Sequence, residues 1–211
     1  MEQLIQAVMA AIERAGLIEV EVSARHVHLS RDDIEKLFGK GSELTPKRPL
    51  SQPGQYLSEE RVTLVGPRGK KERVAVLGPA RSATQVELSR SDCVELGVKA
   101  PLRESGDTAG SGAIVIEGPK GAIEIKEGVI VAQRHVHMTP AAASALDLAD
   151  KERVAVEVLT ERPVTFEDVV VRVSDKFSCR MHIDFDEANA AFVDGFTLGR
   201  IKKKLPEEKN D

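Results

Sequence analysis

From Ile18 onward the sequence turns to short runs rich in Val and Ile, several of them separated by Gly and Pro. Such runs, bounded by turn residues, carry the β-branched residues that fit a pleated strand. They fall at 18–28, 61–66, 71–77, 84–88, 113–118, 121–126, 129–137, 153–159, 164–173 and 179–185. Two adjacent pairs flank Gly66–Gly69 (VTLVGPRGKKERVAVL) and Gly118–Gly121 (AIVIEGPKGAIEIK), and both read as hairpins. Ten short strands with few long helices predict a mainly β fold, a barrel or sandwich, not a doubly wound parallel sheet. Residues 2–15 depart from the pattern: Leu4, Ile5, Val8, Met9 and Ile12 share one face of an amphipathic helix, which Gly16 stops. The Pro- and Gly-rich stretch 40–58 reads as a long loop, and the charged tail from Lys202 as a frayed end.

Composition narrows the class of function. With 211 residues the chain makes one large domain or two small ones, and 41% hydrophobic with 30% charged residues describes a globular protein, not a disordered one. A net charge of -4 and 3% aromatics argue against nucleic acid, which needs clustered positive charge or stacking platforms. No apolar run is long enough to span a bilayer, and the acidic N-terminus lacks the pattern of a signal peptide. The expectation is a cytoplasmic protein with no membrane partner. Two cysteines cannot build a disulfide framework. Cys93, in SDCVEL, reads as helix packing, and Cys179 as a small buried strand residue in preference to a nucleophile.

The chemistry is carried by the histidines. All five are His26, His28, His135, His137 and His182. Chance would give roughly 0.1 His-x-His pairs at this frequency, and two occur. On a strand, residues i and i+2 face the same way, so each pair presents two imidazoles on one side, a geometry that chelates a metal such as zinc. The strings RHVHLS (25–30) and RHVHMT (134–139) echo each other, each ending a Val-rich run just before a helix start. Ser30 with Asp33 resembles a capping box, and Thr139-Pro140 offers a cap followed by Pro in the first turn. Glu87 (Leu88-Ser89) and His182 (Ile183-Asp184) repeat the syntax, so four strand ends bring a candidate ligand to a helix start. The segment GPARSATQVE (78–87) adds Arg81, whose planar fork suits phosphate, with the Ser82 and Thr84 hydroxyls close by.

These residues resemble a known family. VEVSARHVHLS, VLGPARSATQVELS, VAQRHVHMT and the Met181-His182 pair are similar to the PduL-type phosphate acyltransferases (phosphotransacylases, phosphate propanoyltransferases) over about Val20 to Ile201. The resemblance implies two small β-barrels capped by short helices, with two zinc ions between them. An N-terminal helix would cover 1–17, one barrel 18–24 plus 133–202, the other 25–132, and a charged tail 203–211. One zinc would be held by His26, His28 and Glu87, the other by His135, His137 and His182. Arg81 would be the catalytic, phosphate-binding arginine. Coenzyme A would contact Val22, Ser23, Ala24, Arg68 and Asn189. Ala75 stands where the family often has a basic residue near the coenzyme's phosphates, and Arg68 replaces a usual Lys.

The implied reaction is acyl-CoA plus phosphate giving acyl phosphate plus CoA, with acetyl or propanoyl as the acyl group. Zinc would polarise the thioester and stabilise the leaving thiolate, while phosphate held by Arg81 attacks directly, with no protein nucleophile. A homodimer is the expected assembly. In relatives housed in bacterial microcompartments a terminal helix directs encapsulation; here the helix runs almost straight into Ile18, which favours packing on its own subunit or its dimer partner. Two other readings remain open on the residues alone. A dizinc hydrolase of esters or amides would also use His-x-His at a strand end, although such enzymes usually place an Asp close behind. A non-catalytic metal module would normally close its site with four ligands, often Cys.

Overall fold

The computed structural model describes residues 7, 11, 12 and 14–202. Apart from those few positions, the helix expected over 1–17 lies outside the described residues, as does the whole tail 203–211. In chain order the elements begin with β1 (Leu17–Val22), β2 (His26–His28), α1 (Arg31–Phe38), β3 (Pro46–Pro49), β4 (Tyr56–Val65), β5 (Lys70–Gly78), β6 (Gln85–Glu87) and α2 (Arg90–Leu96). There follow β7 (Leu102–Arg103), β8 (Gly112–Glu117), β9 (Ala122–Ala132), β10 (His135–Met138), α3 (Pro140–Ala145), β11 (Arg153–Val158), β12 (Val164–Val173), β13 (Arg180–Ile183), α4 (Phe185–Ala190) and β14 (Thr197–Lys202).

The described residues divide into two compact units. One runs up to Val22 and resumes over Arg134–Ile183 and from Glu187; the other comprises Ser23–Gln133 with Asp184–Asp186. In the first unit, β10–β12–β11–β14–β1–β13 form a ring that closes on β10. In the second, β2–β5–β4–β8–β9–β6 form a ring that closes on β2, with β3 and β7 attached at β4 and β9. The fold is therefore mainly β, with two closed six-stranded barrels and few short helices, as the resemblance implied.

Strand senses match ring for ring. Going round from the His-x-His strand, the pairings are parallel, then antiparallel three times, then parallel, then antiparallel, in both barrels. Each ring also borrows one strand. β1 pairs with β13 and β14, although β2 right after it belongs to the other unit. β9 pairs with β6 and β8, although β10 right after it belongs to the first unit. The run 18–28 is thus two strands, broken at Ser23–Arg25, where neither Gly nor Pro marks the break.

Other boundaries also differ from the sequence reading. Fourteen strands occur among the described residues, not ten. The run 121–126 and the first part of 129–137 fuse into β9 through Gly128, whose φ of +134° keeps the strand continuous where a side chain would be strained. The supposed loop 40–58 holds β3 and the start of β4.

Alternation along the strands explains how each barrel both fills its core and presents ligands. Val27 and Val136, the middle residues of the two His-x-His pairs, are fully buried in their own cores. Their cross-strand partners Val86 and Met181 are buried beside them. Each such side chain contributes roughly 1.5–3 kcal/mol, and because successive residues face opposite ways, this fixes the flanking positions on the other face.

The helices start as the sequence indicates. Ser30, Ser89 and Thr139 each accept the third backbone N–H that follows, at 3.2 Å, capping α1, α2 and α3. The two G-P-x-G hairpin tips rest on helix ends: Arg68 N–H donates to the Leu96 carbonyl and Lys120 N–H to that of Leu37, each at 3.0 Å. A Cβ on Gly66 or Gly118 would run into those same carbonyl groups, so both positions require glycine.

Candidate metal centres

Cross-strand register brings the third candidate ligand to each His pair. In the second unit β2 and β6 run antiparallel with His26 directly opposite Glu87; in the first, β10 and β13 pair with His135 opposite His182. The result is two groups, His26–His28–Glu87 and His135–His137–His182, in each of which the ligand atoms lie within 4.8 Å of one another. Glu87 occupies the place in its barrel that His182 occupies in the other.

In the first of these groups the His26 and His28 rings meet edge to face, with centroids 5.0 Å apart. His26 Nδ1–H donates to the Ala24 carbonyl at 2.8 Å, and its Nε2 lies 3.5 Å from Glu87 Oε2. His28 faces the Leu77 backbone with one nitrogen, while its buried Nδ1 has no partner. Burial, then the neighbouring His26 and Arg81, pushes the His28 pKa down to about 3, so the imidazole is neutral. Burial alone would raise the Glu87 carboxyl, but the His26 and His28 rings and a hydrogen bond from Ser105 bring it down to about 2. A neutral His28 imidazole beside an ionised Glu87 carboxylate has the protonation state that metal binding needs.

The all-histidine group is packed more closely. His135 and His182 stack at 5.2 Å, and His137 lies 4.6 and 5.0 Å from them, edge on. Phe177 stacks on His137 with ring centroids 4.1 Å apart. Burial and the two neighbouring rings drive the His137 pKa down to about 2. Neither His137 nitrogen has a hydrogen-bond partner, although the residue is 7% exposed. Buried polar atoms without partners are rare and costly. These nitrogens, on one histidine of each group, fit a metal that would take one of them in each.

Arg81 stands next to the mixed group and is wired to it. Its backbone N–H donates to Leu29 at 2.9 Å and its Nη1 to Ser105 Oγ at 3.2 Å. Gln85 Nε2 donates both to that hydroxyl, at 3.0 Å, and to Glu87 Oε1, at 2.6 Å, while Gly106 N–H donates back to Gln85 Oε1 at 2.7 Å. Gln85 was detectable in principle, since it lies two residues before Glu87 on one strand face. Ser105 was not, because its loop carries no periodic signal. Thr84 is used differently: it accepts Ser30 N–H and donates to Asp33, tying this loop to α1.

Of the residues assigned to coenzyme A, Val22 ends β1 and Ser23 and Ala24 lead into His26, so these three adjoin a ligand strand. Arg68 is exposed on its hairpin tip with its stem against Gly97, and Asn189 is exposed on α4. Ala75 is the register partner of His26 on β5. Both cysteines are buried, and burial pushes the Cys93 thiol up to about 11, so Cys93 offers no thiolate.

A two-barrel chain with matched His-x-His strands and an arginine wired to one ligand group belongs to a narrow class of proteins. Residues 19–194 match the family model for phosphate propanoyltransferase. Curated relatives bearing that name include one from Clostridioides difficile, 49% identical over 97% of this chain and 98% of the relative, and one from Listeria monocytogenes, 48% identical over 96% and 97%. A third, from Thermotoga maritima, is 52% identical over 84% and 85%. The chain belongs to the phosphate propanoyltransferase family and is an acyltransferase. No helix among the described residues is long and apolar enough to cross a membrane.

Proposed function

We propose that this chain catalyses acyl-CoA + phosphate ⇌ acyl phosphate + CoA, with propanoyl-CoA or acetyl-CoA as donor and two zinc ions per chain. His26, His28 and Glu87 would hold one ion and His135, His137 and His182 the other. The observation that carries the reading is the pair of register-matched ligand groups with orphaned ring nitrogens. Bound zinc would supply Lewis acidity toward a thioester carbonyl and charge stabilisation for a thiolate.

The chain's own groups do the rest. Arg81, half-buried and oriented by Ser105, offers its guanidinium fork to phosphate and holds it beside the mixed ligand group. A phosphate oxygen forms the new bond to the carbonyl carbon, the C–S bond breaks, and the sulfur leaves as thiolate. No protein nucleophile is needed, and the buried Cys93 could not serve as one. Val22, Ser23 and Ala24 would line the coenzyme with their backbone, and Arg68 and Asn189 would meet it from exposed positions. Ala75 leaves the space beside His26 uncharged and would weaken the grip on the coenzyme's phosphates. The catalytic form would be a homodimer, in the cytoplasm or the lumen of a bacterial microcompartment.

The test is CoA release from propanoyl-CoA and acetyl-CoA, with and without phosphate, before and after chelation, alongside metal analysis. Phosphate-dependent release that chelation removes and zinc restores is expected. Release without phosphate would favour a thioester hydrolase, and full activity in metal-free protein would overturn the zinc assignment.

A further inference from the structure

The arginine that opens each RHVH string does not face the ligand group; its guanidinium turns to the helix that follows the third ligand. Arg25 Nε lies 2.9 Å from both carboxylate oxygens of Asp92, and its Nη2 is 2.8 Å from Oδ1. In the other unit, Arg134 Nη1 donates to Glu187 Oε1 at 2.9 Å, and its Nε to the Glu167 carbonyl at 2.8 Å. Position for position the two arrangements agree. Each arginine directly precedes the first ligand, His26 or His135, and each acid lies five residues after the third, Glu87 or His182. Asp92 and Glu187 are each the third residue of their helix, α2 and α4. Each guanidinium also lies by an aromatic ring, Arg25 at 5.9 Å from Phe185 and Arg134 at 5.6 Å from Phe166.

First and third ligands are direct cross-strand partners in both groups. Their separation therefore depends on how the segment entering the first is held against the segment leaving the third, and the ion pair ties those two segments together. It does so although the third ligand is a carboxylate in one group and an imidazole in the other, and although the acid is Asp in one and Glu in the other. The element common to both is the span from first to third ligand, not the ligand's chemistry. Exposed ion pairs contribute little, but these are sheltered: the Asp92 side chain is 2% exposed and that of Glu187 18%.

We propose that Arg25 and Arg134 are positioning residues, each setting the first-to-third ligand distance of its own metal group. This rests on the two-zinc reading above. Outer-shell partners of metal ligands typically tune affinity by about 10–100-fold, and that range is the effect expected here. The experiment measures zinc affinity by chelator competition in wild type and in two backgrounds that each keep one group, His135→Ala/His137→Ala and His26→Ala/His28→Ala. Arg25→Gln should weaken zinc at least about tenfold where only the mixed group remains, and leave it within about twofold where only the all-histidine group remains. Arg134→Gln should do the reverse. Arg25→Lys and Arg134→Lys keep the charge and serve if the Gln variants fail to fold. The d–d spectrum of the cobalt(II) form should shift in the variant whose own group is affected.

Affinity unchanged in both backgrounds, with only a lower melting temperature, would make the pairs ordinary staples and overturn the proposal. Equal weakening in both backgrounds would overturn it too. A wild type that takes up no metal would overturn the zinc reading itself, whereas a wild type that binds two ions and responds to neither arginine overturns this inference alone.

Discussion

Replacing Gln85 with Leu removes a buried amide of similar size and leaves its partners in place, so the loss can be followed atom by atom. Gln85 is 3% exposed and uses both amide hydrogens and its carbonyl: donors to Glu87 and Ser105, an acceptor for Gly106. Gly106 is exposed, so its N–H turns to water and costs about 0.5–1 kcal/mol. Ser105 retains its bond from Arg81 and loses little. Glu87 is different. Its buried carboxylate forfeits a 2.6 Å charge-assisted bond, about 1.5–3 kcal/mol.

The total for Gln85→Leu is about 2–4 kcal/mol in the metal-free protein. Urea denaturation of the chelated protein, read as a shift in midpoint at constant slope, measures it. Zinc affinity of the mixed group should fall as well, since the donor that fixes one Glu87 oxygen is gone, while the all-histidine group should keep its ion. A loss under about 1 kcal/mol with unchanged zinc affinity would show that Glu87 needs no such donor, and the reasoning from buried hydrogen bonding would fail.

Three further outcomes are expected. Arg81→Ala should abolish acyl transfer to phosphate while zinc content stays at the wild-type value; retained transfer would remove Arg81 from phosphate binding. Cys93 should resist thiol reagents in the folded state, and Cys93→Ala should leave turnover unchanged, as a buried thiol with its pKa near 11 predicts. Burial alone would raise the Asp92 carboxyl, but hydrogen bonds and charge from Arg25, then Lys71, hold it below its ordinary value. Its stabilisation is therefore complete above the unfolded value near about 4 and is lost as pH falls through the lower folded value. Asp92→Asn should melt earlier than wild type at neutral pH and converge with it in strong acid; a gap that persists in acid would contradict this.

How much was legible depended on whether a feature has a period. His26 with His28, and His135 with His137, are visible because a strand repeats every two residues, and Ser30, Ser89 and Thr139 because caps favour those residue types. Glu87 and His182 could be found by the same syntax. The exchange of β1 and β9 between rings had no signal in the residues themselves and was expected only from the family resemblance: nothing at Ser23–Arg25 or Gln133–Arg134 is a chain breaker, and pairing partners are set by barrel closure, not by local pattern. β14 went unread because Gly199 and Arg200 interrupt its pattern. A Cβ at Gly199 would sit 2.8 Å from Val156 Cγ1, so close packing between strands is what requires that glycine. Ser105 is a loop residue 24 positions from Arg81, and only the folded chain makes it their shared hub with Gln85.

The matched rings also say where the two halves have specialised. With strand order and sense the same, each residue of one His-x-His neighbourhood has a counterpart in the other, and most counterparts agree: His26 with His135, Val27 with Val136, His28 with His137, Arg25 with Arg134. The disagreements gather on the strand that supplies the third ligand. Glu87 stands against His182, and Gln85, which bonds that carboxylate, against Arg180, which pairs with Glu19 at 3.0 Å. A frame that keeps two ligands and the arginine fixed while changing the third ligand and its supporting residue gives one half an anionic ligand set and the other a neutral one. Divalent zinc in the first would carry one net positive charge and in the second two. The two ions would then differ in electrophilicity because of a single strand position, and exchanging Glu87 for His should remove that difference while leaving both barrels folded.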